Sequence, residues 1–484
     1  MSESSLPSQH FVIRGADVID GTGTARFSAD VVIADGLVRA LVPPSQGLAP
    51  EVVEAHGLVL CPGFIDTHTH DDQLLLLPKY PHPKLTQGVC TVITGNCGIS
   101  LAPLITHAPP APLDLLGADA FVHGSFRGYL SALDILQPCI NVVPLIGHTT
   151  LRVRLVSDLN RAATVTEMGA MADEISQALD AGAFGLSTGV YYPPAKAATT
   201  EELLAVCAAL KGRHAMLAMH LRDEGDNIDA ALKEALDVGA ASEANLVISH
   251  HKVVGPQNHG HTRHTLRAIE EAALNQSVCL DCYPYEASST MLNAEKASRT
   301  KEVLITWSQP HPECSGKSLN SIALDWGVSL HEATERLMPG GAIYFAMAAQ
   351  DVERVLQHPL TMIGSDGLPH DHRPHPRLWG TFPRVLGHYS RDKKLFSLES
   401  AIHKMTGLPA QRFGLKGRGV IAVGNHADLV LLDPNKVRDN ASYEMPEQPS
   451  TGIHAVYVNG HLALWRGQQM FSHAGRRLIP SRTL

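Results

Sequence analysis

An α/β fold is what this sequence predicts: an eightfold (β/α) barrel, a small discontinuous β-sandwich domain built from both termini, and an insertion late in the barrel. Strand-like runs alternate with helical patterns of roughly ten to fifteen residues through the middle of the chain, the mark of parallel βαβ units. Both ends are instead short apolar runs broken by turns. Potential metal ligands also recur where the middle strands end, the side on which barrel enzymes keep their chemistry.

Taken in order, residues 11–60 read FVIRGADVID, GTGTARFSADVVIADG, LVRALVP and GLVLCPG, with Asp35-Gly36 as a hairpin turn after Val31, Val32, Ile33 and Ala34. From about residue 61 come the strands GVCTVITGN and CINVVPLIGH, the helix TVTEMGAMADEISQALDAG and the strand AFGLST. The helix TTEELLAVCAALKGR, the strand AMLAMH, the helix NIDAALKEALDVGA and the strand NLVISHH follow. A helix over 265–276, then VCLDCYPY and TMIGSD, complete enough units for a closed TIM-like (β/α)8 barrel. Residues 286–345 break the rhythm with polar and helical sequence and read as an insertion able to act as a lid. From about 417 the strands GVIAVGNHADLVLLDP and GIHAVYVNGHLAL return. The expected division is therefore 1–61 with 417–484 as the sandwich, 62–416 as the barrel, and 286–345 as the insertion within it.

Composition narrows the class. The 484 residues are 44% hydrophobic and 18% charged, enough apolar material for a sizeable core, which excludes a disordered or fibrous chain. With 39 basic against 48 acidic residues the net charge is −9, no electrostatic footprint for nucleic acid. Eight cysteines are too sparse for a disulfide scaffold. The opening MSESSLPSQHFVIRG has no basic-then-apolar leader, and no run approaches the ~18 apolar residues of a membrane span. A soluble cytoplasmic protein without a membrane partner is expected. The 27 histidines ask for an explanation, because imidazole ligates metals and titrates near neutrality.

The ligand pattern supplies part of it. In GFIDTHTHDD, His68 and His70 stand two apart, so on a strand both rings share a face. Cys97 sits in the Gly-flanked turn of TVITGNCGIS, His220 ends MLAMH, His250 ends VISH, and Asp366 follows TMIGS. Each alone has an ordinary structural reading; six at strand ends on one side read as a metal site, and imidazole, thiolate and carboxylate suit zinc. Cys279 and Cys282 have CxxC spacing but no second pair, and read as small core residues.

Longer runs carry a resemblance. PGFIDTHTHDD, TGNCGISLAP, STGVYYPP, MHLRDEG, ISHHK, IGSDGLPH, HPRLWGTFPRVLGHY, HADLVLLD and VYVNG follow in an order that resembles the D-aminoacylase (N-acyl-D-amino-acid deacylase) branch of the amidohydrolase superfamily over essentially the whole chain. Most of that superfamily bridges two metals with a carbamylated lysine; this branch uses a cysteine, and Cys97 matches it. The resemblance implies one tight Zn2+ on Cys97, His220 and His250. It also implies a second, weaker position on His68, His70 and Asp366, with Cys97 able to bridge. Zinc polarises an amide carbonyl and lowers the pKa of water beside it, and Asp366 is the candidate general base.

The resemblance further matches Lys252, Tyr283, Ser289 and Arg377 to donors that hold a small-molecule substrate's α-carboxylate, with Arg377 expected on a mobile mouth loop. Met291 and Leu292 come first after Ser289, with Lys296 and Arg299 further on, so neutral D-amino acids such as D-methionine or D-leucine are expected. The alternative is an N-acyl-D-glutamate or N-acyl-D-aspartate deacylase, which needs an extra cation near the pocket. Two more distant readings are a hydantoinase-like cyclic-amide hydrolase, which normally carries the bridging lysine, and a non-catalytic binding scaffold, which typically loses ligands. His148 reads equally as pocket lining or as a core histidine. His251 is expected outside the barrel, and His259, His261 and His264 in a solvated loop. The family resemblance implies a monomer.

Overall fold

Eight parallel strands follow one another around a ring in chain order. They are β1 (Phe64–Asp66), β2 (Val89–Thr94), β3 (Asn141–Gly147), β4 (Gly185–Gly189), β5 (Met216–His220), β6 (Asn245–Ile248), β7 (Val278–Cys282) and β8 (Thr361–Ile363). This computed structural model describes residues 10–77, 82–117, 119–470 and 473–481; most of the N-terminal stretch read for a leader lies outside them. Beyond their ends β8 and β1 meet: Asp366 N–H donates to His68 C=O at 2.7 Å and His70 N–H to Gly367 C=O at 3.1 Å. Among the described residues no helix is long and apolar enough to cross a membrane.

Side chains alternate across each strand, and the apolar residues obey that period. Ile93, Leu145, Met216, Ala218, Val247, Cys279 and Met362 form one buried cluster with Phe413 and Leu415. Their neighbours Val92, Ile146, Leu217, Ile248, Leu280 and Ile363 belong to a second cluster that they share with the surrounding helices. Both faces of every strand are therefore covered, which is why the barrel strands read as unbroken apolar runs.

The two chain ends form one nine-stranded sheet. Val59–Pro62 pairs with Phe11–Val18 on one side and Leu429–Leu432 on the other, then leads almost directly into β1. The sheet curls over its own core. Phe11 and Tyr457 stack at 5.0 Å although other strands lie between theirs, and the edge strand Leu37–Val42 bridges back to His426. Between β7 and β8, the stretch 286–345, read as an insertion of polar and helical sequence, carries a three-stranded antiparallel sheet of Ala287–Met291, Val303–Ser308 and Gly340–Phe345 as well as helices. Helices Leu319–Trp326 and Leu330–Leu337 cover it, with a separate buried cluster between. The strands were not foreseen, because short, largely buried antiparallel runs carry little periodic signal.

His148 does not line the mouth. It opens helix His148–Leu155, its Nε2 lies 3.1 Å from Glu202 Oε1, and Arg152 ion-pairs with the same carboxylate. Burial alone would raise the Glu202 carboxyl; hydrogen bonds from His148, Arg152 and the Ala163 N–H overcome it and bring its pKa down to about 2. A carboxyl depressed from 4.5 to about 2 stabilises the fold above its unfolded pKa, and that contribution fades as pH falls through the interval. Glu202→Gln is expected to lower stability by about 3 kcal/mol at pH 7, with the gap from wild type closing between about pH 5 and 2. Denaturant melts across that range read it.

Candidate metal centre

Counting in twos from the barrel interior leads straight to the mouth. Met216–Ala218–His220, Ile93–Gly95–Cys97, Met362–Gly364–Asp366 and Cys279–Asp281–Tyr283 each run from apolar core to polar rim. His250 falls on the other parity from Val247, and the backbone corrects this by turning left-handed at His250, φ 35°. That turn also sends His251 outward, where its Nε2 meets Thr265 Oγ1 of the covering helix at 2.8 Å. Cys97 (φ 53°) and Asp366 (φ 50°) are left-handed as well, a costly conformation for residues with a Cβ that clusters at functional sites.

The side chains converge into two buried groups, His68, His70, Cys97 and Asp366, and Cys97, His220 and His250, each with ligand atoms within 4.8 Å of one another. Cys97 Sγ is common to both. It lies 3.2 Å from His68 Nε2, 3.4 Å from His250 Nε2 and 3.5 Å from His220 Nδ1. His250 Nε2 and His220 Nδ1 are 2.9 Å apart, and Asp366 Oδ1 lies 3.3 Å from His70 Nε2. Imidazole nitrogens, a thiol and a carboxylate converging at such distances are the donor set of a zinc centre.

Outer carboxylates orient the rings. Glu224 Oε1 lies 3.2 Å from His250 Nδ1, and Asp281 Oδ1 lies 3.4 Å from His68 Nδ1 while accepting the His250 N–H at 2.7 Å. Carboxylate–imidazole pairs of this kind are the usual outer support of metal-binding histidines. Sequence reasoning missed both acids. Glu224 stands inside the quoted run MHLRDEG, and Asp281 is reached by counting back two from Tyr283. It is also the residue between Cys279 and Cys282, whose own thiols burial pushes up, that of Cys279 to about 12.

Burial and charge set the protonation states. Desolvation raises the Cys97 thiol, but the charges of His68 and His250, with hydrogen bonds from His220 and His250, outweigh it and hold it well below its usual range. Desolvation likewise raises the Asp366 carboxyl, which Arg377, His70, His250 and His68 bring well below the ordinary value. Buried imidazoles and Arg377 supply the positive charge that holds the Cys97 thiol and the Asp366 carboxyl down. A divalent cation would supply that charge to neutral imidazoles, a thiolate and a carboxylate, so the residues present fit one.

The expected carboxylate donors surround the same centre; Lys252 and Arg377 already have acidic partners, while the buried hydroxyl of Tyr283 finds no hydrogen bond among the described residues. Lys252 Nζ pairs with Glu224 at 2.5 Å and lies 2.8 Å from His250 Nδ1. Arg377 is not on an exposed loop; it begins helix Arg377–Arg384, is 1% exposed, and its NH1 lies 2.9 Å from Asp366 Oδ2. Its guanidinium covers the Tyr283 ring at 4.7 Å and donates to Ser289 C=O at 3.1 Å. A cleft of about 380 Å³ opens beside His220, lined by Tyr191, Tyr192, Glu224, Met291, Leu292 and Lys296 among others. Tyr191, which stands inside the quoted run STGVYYPP without having been singled out, stacks on His220 at 5.3 Å. Leu292 is shared with the insertion's core, and Lys296 Nζ sits 5.8 Å from the Tyr191 ring and 4.7 Å from that of Tyr344. His261 meets Asp229 at 2.9 Å on the surface, and His264 is exposed beside it.

Residues 51–214 and 317–463 match the sequence profile of an amidohydrolase family. N-acyl-D-aspartate deacylase of Alcaligenes xylosoxydans xylosoxydans is 50% identical over 461 residues, 95% of this chain and 92% of that one. D-aminoacylase of the same organism is 49% identical over 480 residues, 99% of each. Among solved structures, a D-aminoacylase described by one-metal activation and second-metal attenuation of its binuclear centre superposes with a TM-score of 0.94 at 48% identity, covering 97% of this chain and 99% of that one. N-acyl-D-glutamate deacylase from Bordetella bronchiseptica, complexed with zinc and a phosphonate mimic of the tetrahedral intermediate, does so at 0.91 and 42%, covering 98% and 100%.

The Cys97 turn leaves no slack. A Cβ on Gly189, at the end of β4, would stand 2.0 Å from Cys97 C=O. Gly189→Ala is expected to displace the Cys97 turn, costing roughly 1–3 kcal/mol of stability. Zinc retained after dialysis should fall well below the wild-type level, read by elemental analysis beside a thermal melt.

Proposed function

Because the chain belongs to the amidohydrolase family, in its D-aminoacylase branch, we propose that it hydrolyses N-acyl-D-amino acids to a D-amino acid and a carboxylate with the help of bound zinc. The convergence of Cys97 with four strand-end histidines and Asp366 at the barrel mouth is the observation that carries this reading. Cys97, His220 and His250 would hold the tight ion; His68, His70 and Asp366, sharing Cys97, would hold the weaker one. Bound zinc supplies polarisation of the amide carbonyl and a more acidic water.

The remaining work falls to side chains. Asp366, kept ionised beside Arg377, takes the proton of the attacking water and returns it to the departing amide nitrogen. Arg377 and Lys252, each now shared with a site acid, meet the substrate's α-carboxylate, and Tyr283 and Ser289 flank it. The apolar share of the cleft, with Met291 and Leu292, favours neutral D-side chains such as those of D-methionine or D-leucine. A second reading, an acidic D-side chain, is favoured by Lys296. Burial lowers its pKa to about 8, and the cleft places its ammonium where a side-chain carboxylate would neutralise it.

Release of D-methionine from its N-acetyl derivative, with the L-enantiomer untouched, is the expected outcome of an assay with zinc-loaded protein; hydrolysis of none of N-acetyl-D-methionine, N-acetyl-D-aspartate and N-acetyl-D-glutamate overturns the proposal. Asp366→Asn should keep the zinc on Cys97, His220 and His250 yet lower kcat roughly 10²–10⁴-fold. Lys296→Met separates the side-chain readings. On the neutral reading, N-acetyl-D-methionine stays preferred over N-acetyl-D-aspartate and D-glutamate in both proteins; on the acidic reading, wild type prefers an acidic substrate and the variant loses that preference about 10-fold or more.

A further inference from the structure

Lys84 figures in no motif, yet it is fully buried, and its ammonium meets four polar side chains. Nζ donates to Thr69 Oγ1 at 2.9 Å and to Ser365 Oγ at 2.7 Å, and pairs with Asp66 Oδ2 at 2.9 Å and Asp71 Oδ2 at 3.5 Å. Asp66 binds back across the seam, accepting from Ser365 Oγ at 2.6 Å and Ser365 N–H at 2.8 Å. Gly367 N–H donates to the same Ser365 hydroxyl at 3.1 Å, and a Cβ on Gly367 would lie 2.9 Å from Lys84 Nζ.

The places these contacts occupy are informative. Thr69 is the residue between His68 and His70; Ser365 and Gly367 stand on either side of Asp366. One ammonium thus grips the backbone neighbours of three site residues without touching their side chains, across the joint where β8 closes on β1. Asp366 adopts its left-handed backbone within that grip.

We propose that Lys84 is a positioning residue that holds His68, His70 and Asp366 as one rigid triad by clamping the barrel's closing seam. A purely structural lysine would lower stability and leave the remaining folded protein with normal catalysis. A positioning lysine acts on the triad through its ammonium and spares the Cys97–His220–His250 group; its link to β2, the backbone bond from Val89 N–H to Lys84 C=O, does not involve the side chain. The inference rests on the metal and activity reading above, and the experiment separates the two.

Wild type and Lys84→Met are loaded with one equivalent of zinc, assayed on N-acetyl-D-methionine, and titrated with further zinc by calorimetry. In the variant kcat should fall roughly 10–100-fold with KM within about 2-fold, the first zinc should stay bound, and affinity for the second should drop by a similar factor. Thr69→Val, which removes one acceptor and keeps the ion pair with Asp66, should shift kcat and second-zinc affinity in the same direction by less. Wild-type protein that neither binds zinc nor turns over substrate overturns the functional reading. Active wild type with an equally active, equally metallated Lys84→Met overturns the role of Lys84. If Lys84→Met does not fold, unaltered kcat and second-zinc affinity in Thr69→Val overturn it.

Discussion

The mouth of this protein exists because the ring closes. Asp366 N–H reaching His68 C=O at 2.7 Å joins the last strand to the first. In an open sheet of eight strands those two edges would lie about 34 Å apart, seven spacings of about 4.8 Å. Closure brings Asp366 against His68 and His70, and it turns six candidate ligands scattered over about three hundred residues into two adjoining groups. Parallel connection adds the other half of the constraint. Every strand runs the same way, so every ligand at a strand end opens on the same face.

Closure also concentrates charge, and the electrostatics of the site follow from it. A thiol and several carboxylates are brought together where water is scarce, and desolvation opposes ionising each of them. Lysine and arginine answer part of the charge: Lys84 among Asp66 and Asp71, Lys252 on Glu224, Arg377 on Asp366. The Cys97 thiol is answered by imidazoles alone, a place that suits a divalent cation. The same crowding explains the left-handed backbone at Cys97, His250 and Asp366. Such conformations cost roughly 1–3 kcal/mol each and persist only where the surroundings over-determine them. Here the surroundings include Gly189 under the Cys97 carbonyl and Gly364, whose Cβ would stand 2.6 Å from that of His68.

How much of this could be read from letters depended on period. Strand alternation with apolar runs announced the barrel, and a period of two carried His220, Cys97 and Asp366 to the inner rim. His250 broke that period; it was expected at the mouth with His251 outside, and the left-handed torsion at His250 is how the backbone arranges the pair that way. The supporting acids escaped because an outer carboxylate has no spacing rule; Asp281 hid between two cysteines that drew attention to themselves. Arg377 was misplaced because HDHRPHPRLWG looks like loop, whereas Pro376 precedes a helix that buries the guanidinium against Asp366. The strands of the 286–345 region escaped for a related reason: short, largely buried antiparallel runs have little periodic signal. Lys84 left none at all, since a buried lysine is legible only through the partners that three-dimensional closure gives it.

The insertion and the barrel divide the site by stiffness as well as by sequence. Ligands sit on or just past barrel strands whose inner and outer faces are both packed, so a change there is felt throughout the core. Residues facing the cleft from 290–300 belong to a small sheet with its own buried cluster, joined to the barrel through few polar contacts such as Tyr192 OH with Thr290 Oγ1 at 3.3 Å. On the proposed function, substitutions on that cleft-facing edge would alter what side chain is accepted while leaving the distances among Cys97, His220 and His250 intact. Chemistry would then be tied to the part of the fold least free to drift, and selectivity to a part that can be rebuilt without reopening the ring.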